Sequence, residues 1–165
     1  PLLLTSEVAY LVDPYLDPLS PDVENFLLEI FRVINGSRCH SIEIITRRGT
    51  CGGRGSRDPR SWMPEAEIDE ALRRVYAERV PKKRQLVVHL VTQTWDPSWE
   101  QRIHDRFFLT RHGGLFFLDS FHFAPKKKAT VNAGALDRVH HDTLKKMYIE
   151  EKLKAEIAAE YLAKK

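Results

Sequence analysis

The stretch EVAYLVDPYLDPLSPDVENFLLEIFRVINGSRCHSIEIIT, Glu7 to Thr46, decides the fold class. Its first part, Glu7–Val12, is a short apolar run with β-forming residues, halted by DPYLDP, and reads as a buried strand. Ser20 followed by Pro21 is a helix start, with Asp22 and Glu24 placed at the positive end of the helix dipole. Val23, Phe26, Leu27, Ile30, Phe31 and Ile34 then recur at helical spacing until Asn35–Gly36 stops them. Ser41–Thr46 is a second strand. Strand, helix, strand within forty residues is the unit from which parallel α/β sheets are built.

The pattern continues outward. Pro64 opens another helix, with Glu65 and Glu67 in its first turn and Ile68, Leu72, Val75 and Tyr76 as its buried stripe. Gln85–Gln93 is a third strand, apolar enough to be covered on both faces, which makes His89 a core histidine. IHDRFFLT and GLFFLDSF are two further strands, with the hairpin turn expected around His112–Gly113–Gly114. A short additional strand is expected near Ala129–Asn132. Asp142 or Thr143 is expected to cap a long final helix, striped by Ile149, Leu153, Ile157 and Tyr161. The order β-α-β-α-β-β-β-α gives an α/β fold, a mostly parallel or mixed sheet between helices, over a single domain spanning residues 1–165. In such sheets the ligand site lies beyond the carboxyl ends of the strands, where Asp13–Tyr15 and the segment after Thr46 both fall.

Composition sets the outer bounds. With 42% hydrophobic and 30% charged residues, 165 residues suit one globular domain. No run approaches the roughly 18 apolar residues of a membrane span, PLLLTSEVAYLV does not read as a signal peptide, and a cytoplasmic location is expected. A start at Pro1 suggests a piece of a longer polypeptide. Cys39 and Cys51, the two cysteines, suit a reducing compartment, and Cys39 with His40 falls short of the four ligands of structural zinc. No metal or cofactor is expected.

The net charge of +3 is unevenly spread. Arg47–Arg60, RRGTCGGRGSRDPR, holds Arg47, Arg48, Arg54, Arg57 and Arg60 among four glycines, against the single Asp58. Lys82–Arg84 and Lys126, Lys127 and Lys128 are two more basic runs. Arginine grips phosphate oxygens in bidentate fashion, so Arg47, Arg48, Arg54, Arg57, Arg60 and Lys126–Lys128 are the candidate nucleic-acid-binding residues.

The chemical candidates lie in RIHDRFFLTRHGGLFFLDSFHF, Arg102–Phe123. In a strand, His104, Arg106, Phe108 and Thr110 share one face. An imidazole can attack phosphorus or carry a proton near neutral pH, and a neighbouring guanidinium can hold the phosphate oxygens. The His104–Asp105–Arg106 triplet, its glycine turn and the later DSF resemble the motif of the phospholipase D superfamily, His-x-Lys-x-x-x-x-Asp, and VDPYL resembles the end of the first strand in such domains. The resemblance implies His104 as the nucleophile, Arg106 in place of the lysine, and Ser120 as a small polar phosphate-holding residue. The motif's aspartate falls at Arg111. With one such motif per chain, the resemblance implies a homodimer pairing two copies of His104, and metal-independent phosphodiester cleavage. The functional expectation is therefore a nucleic-acid-interacting domain of this type, a phosphodiesterase or nuclease module. The alternative is a non-catalytic module that binds a protein partner, through its terminal helix, or an anionic phospholipid surface.

Overall fold

The computed structural model describes residues 2–52, 62–91, 106–117, 133–151 and 157–164. In chain order these form α1 (Leu2–Thr5), β1 (Val8–Val12), α2 (Pro21–Ile34), β2 (Ser41–Arg47) and a 3-10 turn (Arg48–Thr50). There follow α3 (Glu65–Tyr76), β3 (Gln85–Val91), the antiparallel pair β4 (Arg106–Thr110) and β5 (Gly113–Phe117), and β6 (Ala133–Ala135). Helix α4 (Arg138–Lys145) runs into a π-helical turn (Lys146–Glu151), and β7 (Ile157–Lys164) closes the series.

Among the described residues the strands make one seven-stranded mixed sheet in the order β6-β5-β4-β1-β2-β3-β7. β1, β2 and β3 are parallel neighbours, and β4 and β7 flank them antiparallel on either side. Because β1 steps to β2 and β2 to β3 in the same direction, right-handed crossovers put α2 and α3 on one face. The burial follows that rule. Ala9, Leu11, Ile42, Ile44, Leu86, Val88 and Phe108 pack with Leu27, Phe31, Ile68 and Tyr76 on that face. Val12, Ile45, Val91, Phe107 and Leu109, offset by one residue along each strand, pack on the other with Tyr148, Leu144 and Leu136.

Helix α2 forms where its punctuation places it. The Ser20 Oγ accepts from Val23 N at 3.3 Å, Pro21 takes the first helical position, and Gly36 adopts φ +89° just past the end. Val23, Leu27, Ile30, Phe31 and Ile34 are buried, and each contributes about 1.5–3 kcal/mol by leaving water.

Three expectations are corrected. The hairpin loop is Arg111–His112, since Thr110 pairs with Gly113, and both glycines belong to β5. Thr110 Oγ1 closes the turn, accepting from His112 N at 3.2 Å and donating to Gly113 O at 2.9 Å. Gly114 serves packing instead: a Cβ there would lie 2.7 Å from Leu136 Cδ1 and 2.8 Å from Leu109 Cδ2. The cap of the last helix is Asp137, whose carboxylate accepts from His140 N at 3.0 Å, ahead of the expected Asp142 or Thr143. The long final helix does not form: α4 is short, and Ile157–Lys164 is a strand on the open edge of β3, whose backbone groups need partners. The expected strand near Ala129–Asn132 lies outside the described residues.

Candidate functional site at the carboxyl edge of the parallel strands

The loop after β1 is held from every side. Thr46 Oγ1 donates to Leu16 O at 2.8 Å, Thr50 Oγ1 donates to Pro14 O at 2.8 Å, and Tyr76 Oη donates to Pro18 O at 2.5 Å. Asp17 Oδ1 accepts from Leu19 N at 2.9 Å and Gly52 N at 3.0 Å. Burial pushes the Asp17 carboxyl above its ordinary pKa against those two amides, and it pushes the neighbouring Cys51 thiol up to about 12, Asp17 adding to the effect. Asp13–Ser20 is thus a rigid shelf, anchored to β2, the 3-10 turn and α3.

Two arginines converge on this shelf. Asp13, 1% exposed, accepts from Tyr15 N at 2.8 Å, and its other carboxylate oxygen lies 3.2 Å from Arg106 Nε. The pair sits one step beyond the Val12–Phe107 pairing of β1 with β4, so the sheet register brings it together. Arg47 Nε donates to Pro14 O at 3.1 Å, and the Arg47 guanidinium lies 4.5 Å from the centre of the Tyr15 ring. The Arg106 guanidinium lies 5.5 Å from the same ring. Tyr15 is therefore a scaffold on which two cations are oriented. Beside it, Arg48 pairs with Glu65 at 2.7 Å and lies 5.7 Å from the Trp62 ring.

Of the residues singled out from the sequence, Arg47, Arg48 and Arg106 come together at this edge. Arg106 is more constrained than a solvent-facing phosphate ligand, since its side chain is 14% exposed and ion-paired with Asp13. Arg111, where the motif would have its aspartate, lies at the opposite end of β4, in the hairpin loop. His104, Ser120, Arg54, Arg57, Arg60, Lys126, Lys127 and Lys128 lie outside the described residues. Sequence reading missed Asp13 as the partner of Arg106, although the carboxyl-edge rule had already pointed to Asp13–Tyr15.

A second polar row crosses the opposite face. His89 Nε2 lies 2.8 Å from Glu43 Oε2, so the expected core histidine has its partner in β2, and Tyr10 stands directly opposite Glu43 in the β1–β2 register. Burial and the Glu43 charge push the Tyr10 hydroxyl up to about 12.

The chain matches no family model, no curated protein and no solved structure, so the likeness to phospholipase D proteins rests on the sequence motif alone. Among the described residues no helix is long and apolar enough to cross a membrane, and no group of three or more His, Cys, Asp or Glu is placed to hold a metal.

Proposed function

We propose that this domain binds nucleic acid through the phosphate backbone, at the carboxyl edge of β1 and β2. The observation that carries the reading is the convergence of Arg47 and Arg106 on Tyr15, over a loop fixed by backbone and side-chain hydrogen bonds. Guanidinium groups held in advance lose little freedom on meeting a phosphate. The described part of the edge carries Arg47, Arg48 and Arg106 against Asp13, Asp17 and Glu65, so its charges balance. The excess positive charge comes from Arg54, Arg57 and Arg60 in the adjoining stretch, set against Asp58. The edge positions phosphates, and the arginine-glycine stretch supplies the long-range attraction. Both terms are indifferent to base identity.

Fluorescence anisotropy with a labelled single-stranded oligonucleotide tests this. Binding is expected at low salt, falling steeply as salt rises, and the variant with Arg47, Arg54, Arg57 and Arg60 replaced by alanine binds at least tenfold more weakly with a shallower salt slope. Salt-independent binding, or affinity untouched by those four changes, overturns the proposal.

Phosphodiester cleavage is a further step, supported by the His104–Asp105–Arg106 sequence and its resemblance. Its test is nuclease activity in the presence of a chelator, lost in His104→Ala, from a protein that sediments as a dimer. Activity that needs metal, or that survives His104→Ala, removes His104 from the chemistry.

A further inference from the structure

At the amino ends of the same parallel strands, on the face away from α2 and α3, the domain has an open cleft of about 730 Å³. Its nearest lining residue on β1, Tyr10, lies three residues before Asp13 of the arginine shelf, about 10 Å along the strand. Its basic residues come from three parts of the chain: Arg38 before β2, Arg111 in the hairpin loop, and Lys145 at the end of α4, with His112 beside Arg111. Glu7 is the one carboxylate lining it among the described residues, and its apolar surface comes from Tyr10, Val8 and Ile149.

We propose that this cleft is a binding site for a small phosphate monoester that carries a flat ring, a ligand of mononucleotide size. A terminal phosphate offers three oxygens and close to two negative charges, which suits cations arriving from three directions better than a single carboxylate does. Arg111 and Arg38 are exposed, and Lys145 is half-buried. The Tyr10 ring and Ile149 give the organic portion an apolar surface to lie against. The volume falls within the about 300–1,000 Å³ of small-molecule sites. The Tyr10 hydroxyl keeps its proton well above neutral pH, so it remains a donor to an anion. The hairpin loop that carries Arg111 and His112 is braced by Thr110, which bonds both His112 N and Gly113 O. His141 Nε2, 2.8 Å from Thr110 O, ties that same hairpin to α4, so the elements that bring the cations are linked before any ligand arrives.

The site is independent of the nucleic-acid edge, and calorimetric titration of the full chain separates the two. The probes are inorganic phosphate, phenyl phosphate, adenosine 5′-monophosphate and adenosine. The monophosphate is expected to bind at least tenfold more tightly than adenosine and more tightly than inorganic phosphate. Arg111→Ala and Lys145→Ala each raise its Kd tenfold or more, and Arg111→Glu abolishes binding. Arg47→Ala leaves the Kd unchanged. Amide chemical shifts of His112 and Gly113 report where the ligand sits, which guards against a variant acting through the fold. Equal affinity for adenosine and its monophosphate, loss in Arg47→Ala, or shifts confined to the Tyr15–Arg47 edge would overturn the proposal.

Discussion

Arg106 Nε and Asp13 Oδ2 are 3.2 Å apart although 93 positions separate the two residues in the chain, and Asp13 is almost completely removed from solvent. The pair joins the residue just past β1 to the first residue of β4. Removing one member leaves a buried charge without its counter-ion, which in general costs about 3–5 kcal/mol. Asp13→Ala should approach that loss, since it also deletes the acceptor for Tyr15 N. Arg106→Met should cost as much, because it leaves the Asp13 carboxylate, the more deeply buried member, without its counter-ion. Urea denaturation of the two single variants and the double variant checks this, and a coupling energy near zero would contradict the pairing.

Gly114→Ala tests how α4 is seated. The added methyl meets Leu136 Cδ1 and Leu109 Cδ2 at under 3 Å, with Phe108 O at 3.0 Å. Overpacking of this kind costs about 1–3 kcal/mol. Amide exchange should accelerate at Leu136 and through Arg138–Lys145 before it changes in α2. Uniform acceleration across the molecule would show that α4 and the main core do not open separately.

Tyr10 should be a late-titrating tyrosine. Its folded pKa, pushed up to about 12, lies above the ordinary value of 10, so the fold favours the neutral phenol. The stability this contributes is fully present below pH 10 and is lost as pH rises through about 12. Ultraviolet titration of tyrosinate should show a component near 12 that disappears in Tyr10→Phe. Glu43→Gln, which removes the neighbouring negative charge, should move that component down. An upward movement would refute the assigned cause.

Truncation of Ile157–Lys164 uncovers one side of β3, a strand whose residues from Leu86 to Val91 are all buried. Lower stability in urea and concentration-dependent aggregation are expected, because an apolar strand with open backbone groups pairs with other chains. A truncated protein with the same assembly state and stability as the full chain would show that this edge needs no cover.

What could be read from the residues follows a physical division. Helix α2 and strands β1 to β3 were legible because local chemistry marks them: Ser20–Pro21 begins the helix, Asn35–Gly36 ends it, and the strands are short apolar runs between turn residues. The tail was not. Ile149, Leu153, Ile157 and Tyr161 recur every four residues, and four is both close to a helical turn and an even number, so the same spacing satisfies a strand. Gly113–Gly114 misled in a related way. A glycine pair marks a turn by its backbone freedom, whereas Gly114 is needed for the space its missing side chain leaves to Leu136. At the candidate site, the arginine-rich run pointed to Arg47 and Arg48, which do lie beside the Asp13–Tyr15 loop. The pairing of Asp13 with Arg106 depends on β4 lying antiparallel beside β1, a tertiary choice that no local pattern states.

The placement of β7 carries a consequence for how the molecule is made. A nascent chain emerging from the ribosome can assemble β1, α2, β2, α3 and β3 in the order of synthesis, each strand docking beside its predecessor. The strand that shields β3 begins only at Ile157. At about 5–20 residues per second, synthesis of the intervening segment and the strand takes on the order of 4–15 s. For that interval one side of β3 has no neighbouring strand, and its open backbone groups are free to pair with other chains.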